Sequence, residues 1–279
     1  MELASYVCRV EIKWTKRKLL FEKAVVFRRL VDKVENWPTV LVRYVAARFG
    51  IASGVAMKVR LRDGLVVEVP AAPLSSWPIF EVLVLDCYHT SVVPGSPAVI
   101  LDIGAHVGSA SLALHRAFPG ARIVCYEPSP ATAHFLRRNL SENGVTGKVH
   151  EFAVAGCDGH AYLVSDTATS CEASLLFEDS GGTPVSVVSF DHVMENLGSG
   201  PVLLKLDCEG SEFDILEQSL DSSFSNVQTV LLEYHPRKAS SSYASVCAGL
   251  ERFGFSEVWH DPDPLREGLG LSCFVRSSG

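Results

Sequence analysis

At 279 residues and a formal charge of −7, the chain can hold one sizeable core plus an appendage, and its acidic balance speaks against a nucleic-acid partner. No apolar run is long enough to insert stably in a bilayer, and residues 1–18 are charged throughout, without the apolar stretch of a signal peptide. Eight cysteines are scattered with no C-x-x-C pair, which argues against a cysteine zinc site and fits a reduced, cytoplasmic setting.

The basic segment comes first. Residues 9–48 carry eleven Lys or Arg against four Asp or Glu, a local excess of seven positive charges. Such an arm can serve a nucleic acid or a membrane surface. Here, however, Leu19, Leu20, Val25, Val26, Phe27, Leu30, Val31 and Val34 recur at helical spacing. That pattern predicts an amphipathic helix packed on the body of the protein or on a sister subunit of a homodimer. Helices are expected over 5–35 and 38–49, with Trp37-Pro38 at their boundary. Residues 56–61 and 65–69 flank Arg62-Asp63-Gly64 and read as a hairpin with an Asp-Gly turn. A loop over 70–77 and a helix over 79–88 lead to the next segment.

That segment, Val99-Ile-Leu-Asp-Ile-Gly-Ala-His-Val-Gly108, reads as a buried parallel strand carrying a carboxylate and a glycine turn to the mouth of a helix. Glycine lets a ligand approach the backbone closely. A dinucleotide fingerprint needs a second glycine where His106 stands, and a phosphate loop needs a following Gly-Lys-Ser/Thr. What remains, D-x-G-x-x-x-G on Asp102, Gly104 and Gly108, resembles the first motif of S-adenosylmethionine (SAM)-dependent methyltransferases, although many α/β strands end in Asp-x-Gly. The next apolar run ends in Glu127, one strand–helix–strand unit later. A carboxylate at that tip can accept two hydrogen bonds from a ribose diol.

Strands are expected near 98–103, 121–126, 148–154, 202–207, 228–233, 255–260 and 270–276. Helices are expected near 107–117, 130–142, 211–219 and 240–253. Extra strands at 160–165 and 185–189 flank a polar insertion, 166–184. This alternation implies a doubly wound α/β fold, and the short last connection requires an antiparallel final pair. The fold class is thus Rossmann-like: a seven-stranded, mostly parallel sheet with an antiparallel last strand, plus an N-terminal helical and hairpin extension.

The fourth core strand places Asp207, Glu209 and Glu212 within six residues at a carboxyl end, where open α/β sheets bind ligands. Lys205, on the same strand, needs an anionic partner if buried. Glu212 can equally cap the helix that follows. The fifth strand ends with Glu233 and His235, which should face Asp207 across the cleft. A histidine oriented by a carboxylate can remove a hydroxyl proton. The same oxygen and imidazole groups can hold a divalent cation, but no ligand spacing is specific enough to assert a metal. The direct base is the favoured reading.

Taken in order, VILDIGAHVGSASLAL, YEPSP, a helix ending RRNL-x-x-N-G, FAVAGCDG, VVSFDHV, LLKLDCEGSEFDIL and LLEYHP resemble the FkbM family of SAM-dependent methyltransferases over residues 80–260. The most specific piece is K-x-D-x-E-G-x-E on Lys205, Asp207, Glu209, Gly210 and Glu212. His106 stands where many relatives carry asparagine. The resemblance implies SAM as cofactor, held by Asp102, Gly104, Ala105, His106, Gly108, Glu127, Pro128 and Ala153. It implies O-methylation of a hydroxyl on a small secondary metabolite such as a polyketide or sugar, with Asp207, Glu209, Glu233 and His235 as the catalytic set. Residues 1–78 carry none of these motifs and are expected to form a separate extension, an acceptor lid or subunit contact, before a methyltransferase domain over 79–279. Trp77, Phe80 and Tyr88 are acceptor-side candidates. The rival readings are a nicotinamide-dependent oxidoreductase, disfavoured by the missing glycine, and a non-catalytic SAM-fold binding protein, disfavoured by the intact acids.

Overall fold

The computed structural model describes residues 16–48, 55–70, 77–164, 174–176, 181–235, 241–263, 266 and 268–277. The expected helical residues 5–15, most of the 70–77 loop and most of the 166–184 insertion lie outside them. The chain begins with α1 (Lys16–Lys33), α2 (Trp37–Arg48) and the antiparallel hairpin of β1 (Met57–Arg60) and β2 (Val66–Val69). Gly64 takes φ 98° in the hairpin turn. The helix expected over 79–88 is shorter: α3 (Trp77–Ile79) runs on as one wide turn, Phe80–Val84, and stops. Asp86 and His89 then adopt left-handed φ values of 57° and 48°, which no helix continues through.

The body follows as β3 (Val99–Ile103), α4 (Ser109–Ala117), β4 (Arg122–Tyr126), α5 (Pro130–Glu142), β5 (Gly147–His150), β6 (Ala153–Ala155), β7 (Gly159–Val164), β8 (Ser174–Leu176), β9 (Thr183–Ser189), α6 (Phe190–Leu197), β10 (Val202–Leu206), α7 (Ser211–Gln218), β11 (Val227–Tyr234), α8 (Tyr243–Arg252), β12 (Phe255–Pro262) and β13 (Gly270–Arg276). Seven of these strands form one sheet in the order β12-β13-β11-β10-β3-β4-β5. β13 is antiparallel to both neighbours, and the other neighbouring pairs are parallel. β3 and β10 are entirely buried, so they read as unbroken apolar runs interrupted only by Asp102 and Lys205. Strand order reverses between them, which opens a crevice at their carboxyl ends. No helix among the described residues is long and apolar enough to cross a membrane.

Two expectations are corrected here. The strand expected over 148–154 is two strands in two sheets: β5 closes the edge of the main sheet, and β6 joins a four-stranded sheet in the order β6-β9-β7-β8. α6 was not expected, although Ser189 caps it by accepting from His192 N and Phe190, Val193 and Leu197 bury its inner face.

The N-terminal segment is bound tightly to this body. Leu30, Val34, Val40, Val59 and Val67 share one core with Leu112, Leu114, Ile123 and Leu136. Asn139 of α5 pairs with β2 as a strand would, accepting from Glu68 N at 2.7 Å and donating to Glu68 O at 2.9 Å. Asn143 repeats the pairing one turn later on Val66 N and O, at 2.9 and 2.7 Å.

Candidate active site

The floor of the crevice is a buried ion network. Lys205 Nζ lies 3.1 Å from Asp102 Oδ1 and 3.1 Å from Asp207 Oδ2, and donates to Gly104 O at 2.7 Å. Burial alone would lower the lysine's pKa, but the two carboxylates outweigh it and raise it. Asp102 also accepts from Ser111 Oγ at 2.5 Å and is fully buried. Its carboxylate therefore holds the loop from beneath rather than lining the cleft, unlike the expected ligand contact. Gly104, at φ 79°, sits so close to the next loop that a Cβ would lie 1.7 Å from Asp207 O. Gly108 is likewise off the cleft wall. It precedes α4 at φ 90°, and a Cβ there would meet Leu136 Cδ1 at 2.7 Å.

Above this floor, Glu127 ends β4 facing the glycine loop. One carboxylate oxygen accepts from His106 N at 3.0 Å and the other from Ser129 N at 2.9 Å. Burial pushes its pKa up to about 7, against the pull of those two N–H groups and the charge of Lys205. Each oxygen retains a lone pair for a further donor. Gly104, Ala105, His106, Glu127, Pro128 and Ala153 line one cleft, together with Asp207 and Glu209. Phe152, just before the small sheet, and Val154 and Leu163 within it, which sequence reasoning missed, add an apolar wall; that sheet was hidden in the apparent 148–154 strand. Tyr88 reaches the wall with Pro78 and Val82, whereas Phe80 is a core residue whose ring faces that of Tyr44. The Trp77 side chain lies outside the described residues.

Next to the cleft, the turn after β10 is clamped by Glu212. Its fully buried carboxylate accepts from Cys208 N and Gly210 N, both at 2.7 Å. This holds Glu209 and Gly210 at left-handed φ values of 55° and 101° and aims Glu209 into the cleft. From the end of β11, His235 Nε2 stands 3.7 Å from Glu209 Oε2 and 3.6 Å from Glu233 Oε1, while Nδ1 stands 3.5 Å from Glu212 Oε1. Burial would lower the imidazole's pKa, but Glu212, Glu233 and Glu209 overcome it and push it up to about 11. Burial and the neighbouring acids push Glu209 up to about 8, against the attraction of His235, and Glu233 also moves up. An imidazole held protonated in this way has no lone pair to offer. The favoured reading of His235 as the direct base is therefore revised.

A family model described as the methyltransferase FkbM domain matches residues 102–257, from the tip of β3 into β12. Methyltransferase 1 of Beauveria bassiana (strain ARSEF 2860) is 27% identical over 231 residues, covering 74% of this chain and 92% of that protein. The 31-O-demethyl-FK506 methyltransferase FkbM of Streptomyces tacrolimicus is 27% identical over 252 residues, covering 78% of this chain and 96% of that protein. A crystal structure of methyltransferase FkbM from Methylobacillus flagellatus KT is similar over 86% of this chain and 60% of that one, at 13% identity and a TM-score of 0.47.

Proposed function

Because the chain belongs to the FkbM methyltransferase family, we propose that it transfers a methyl group from SAM, bound between the glycine loop and Glu127, to a hydroxyl oxygen of a small secondary metabolite. The observation that carries the cofactor reading is Glu127. A buried carboxylate, fixed by one N–H on each oxygen, stands in the cleft wall with Gly104, Ala105 and His106 of the glycine loop. Its spare lone pairs suit a vicinal diol, and the neighbouring wall of Phe152, Ala153, Val154 and Leu163 suits a flat, weakly polar ring. For the acceptor atom, the support is a relative whose name specifies a substrate lacking a methyl group on oxygen.

Bound there, SAM supplies a methyl group already activated on a sulfonium centre. The protein's own task is then to align the acceptor and remove its proton. Alignment of this kind can be worth ~7–11 kcal/mol, and a positioned base adds ~10²–10⁴-fold. Asp207 and Glu209 share the cleft wall with the cofactor loop. We assign them to orienting the hydroxyl, with the Glu209 carboxylate accepting its proton. Glu233 and His235 stand behind them and hold the cluster together. Tyr88, Val82 and Pro78 keep water from the acceptor side. The described residues among 1–78 buttress this wall through the shared core and the Asn139 and Asn143 pairings, and residues 79–279 carry methyl transfer.

Calorimetric titration of SAM, S-adenosylhomocysteine and NAD into the protein and its Glu127→Gln variant tests the reading. SAM and S-adenosylhomocysteine are expected to bind the wild type, NAD is not, and the variant should bind about tenfold or more weakly, since a hydrogen bond to a charged group contributes ~1.5–3 kcal/mol. NAD binding, or equal SAM affinity in the variant, would overturn it.

A further inference from the structure

We propose that Asp207, Glu233 and His235 form a divalent-cation site beside the acceptor, which rests on the methyl-transfer reading above. One carboxylate oxygen from each acid and one imidazole nitrogen all lie within 4.8 Å of one another. The imidazole would ligate as the neutral ring, so a bound cation takes the place of the proton that the carboxylates hold on it in its absence. Ligands on opposite sides of a cation with bonds of ~2.0–2.5 Å are separated by about that distance, so the three atoms fit one coordination shell. The arrangement is built by the sheet. β10 and β11 are parallel neighbours with Leu206 opposite Leu232, so Asp207 and the pair Glu233 and His235 leave two adjacent strand ends at one level. All three residues are partly exposed, and Asp207 lines the cleft, so an ion held there could keep waters or a substrate oxygen as further ligands.

Two further observations favour a cation here. The first is charge. Among the described residues, Asp102, Asp207, Glu209, Glu212 and Glu233 converge on Lys205 and His235, and Lys205 already serves both Asp102 and Asp207. Carboxylates gathered this closely repel one another unless a positive charge sits between them. The second is the ring itself. His235 is largely buried, yet its Nδ1 has no hydrogen-bond partner among the described residues, and its carboxylate neighbours stand at 3.5–3.7 Å. A mixed carboxylate and imidazole set suits a transition-metal dication such as Mn²⁺ better than Mg²⁺ or Ca²⁺, which prefer all-oxygen shells. Such an ion would fix the acceptor oxygen next to Glu209, which lies outside the ligand set and stays available for the proton.

The test uses the full chain stripped with a chelator and titrated with Mn²⁺ alone, following free Mn²⁺ by electron paramagnetic resonance. One site per chain is expected, weakened about tenfold or more in Glu233→Gln and in His235→Asn. With histidines isotopically labelled in the wild type, substoichiometric Mn²⁺ should broaden the His235 resonance ahead of the other histidines, a readout that needs no folded variant. The same preparation is titrated with SAM. SAM binding without a Mn²⁺ site overturns this inference and leaves the methyltransferase reading intact. Failure to bind SAM overturns that reading instead. A Mn²⁺ site unaffected in both variants, with His235 not selectively broadened, places the ion elsewhere and also overturns the inference.

Discussion

A Cβ placed on Gly104 would lie 1.7 Å from the carbonyl oxygen of Asp207. The cofactor loop and the acidic turn are thus in backbone contact, and the same closeness lets Lys205 reach Gly104 O, Asp102 and Asp207 at once. Gly104→Ala should therefore be severe, about 4 kcal/mol or more, because the clash falls on backbone. Gly64→Ala is the control: it has a similar left-handed φ of 98° but nothing within 4 Å of a new Cβ. That change should cost only the conformational penalty of ~1–2 kcal/mol. Urea denaturation of both variants checks the ordering, and equal losses would contradict it.

Lys205 and Asp102 should respond unequally to mutation. Lys205→Met strands the fully buried Asp102 carboxylate without a counter-charge and should cost about 3–5 kcal/mol. Asp102→Asn leaves Lys205 with Asp207 and Gly104 O and should cost less. Chemical denaturation gives both values. A more damaging Asp102→Asn would show that the network is organised around the acid instead.

The pairing of Asn139 with Glu68 makes the hairpin part of the folding unit. Asn139→Leu would leave Glu68 N–H, Glu68 C=O and Val107 C=O without their partner, at a cost of about 3 kcal/mol or more. Its thermal midpoint is the measurement. A shift no larger than that of a surface substitution would instead support a hairpin that merely rests on the body.

Glu127 gives the pH dependence a sign. Its pKa in the folded protein, about 7, lies above the ordinary 4.5. The protonated acid therefore contributes stability that is complete below about 4.5 and lost as pH rises through about 7. SAM affinity should run the opposite way, strengthening over the same rise, because on the proposed binding mode the carboxylate would accept from both ribose hydroxyls. Melting curves with and without SAM across that range should converge at low pH and separate at high pH. Glu127→Gln should flatten both trends.

Much of this arrangement was legible because buried parallel strands are unbroken apolar runs whose last residues announce the ligand edge. Asp102, Glu127 and Asp207 stood out on that ground. What their side chains face was not legible. Asp102 turns to Lys205, a partner 103 positions away on the neighbouring strand, and only the register between β3 and β10 shows it. The small sheet was hidden for a related reason: only Glu151 and Phe152 separate β5 from β6, with no Gly or Pro between them, so no breaker marks where the chain leaves the main sheet. The protonation of His235 depends on acids from two different strand ends, and no local motif encodes that sum. The Gly104 turn, by contrast, was readable from residue type alone.

The most direct measurement of the central claim is a crystal structure with S-adenosylhomocysteine. The account predicts the ribose hydroxyls on the Glu127 carboxylate, the nucleobase against Phe152, Ala153 and Leu163, and the sulfur pointing toward Asp207 and Glu209. Density for the ligand outside this cleft, or a ribose that leaves Glu127 untouched, would contradict it.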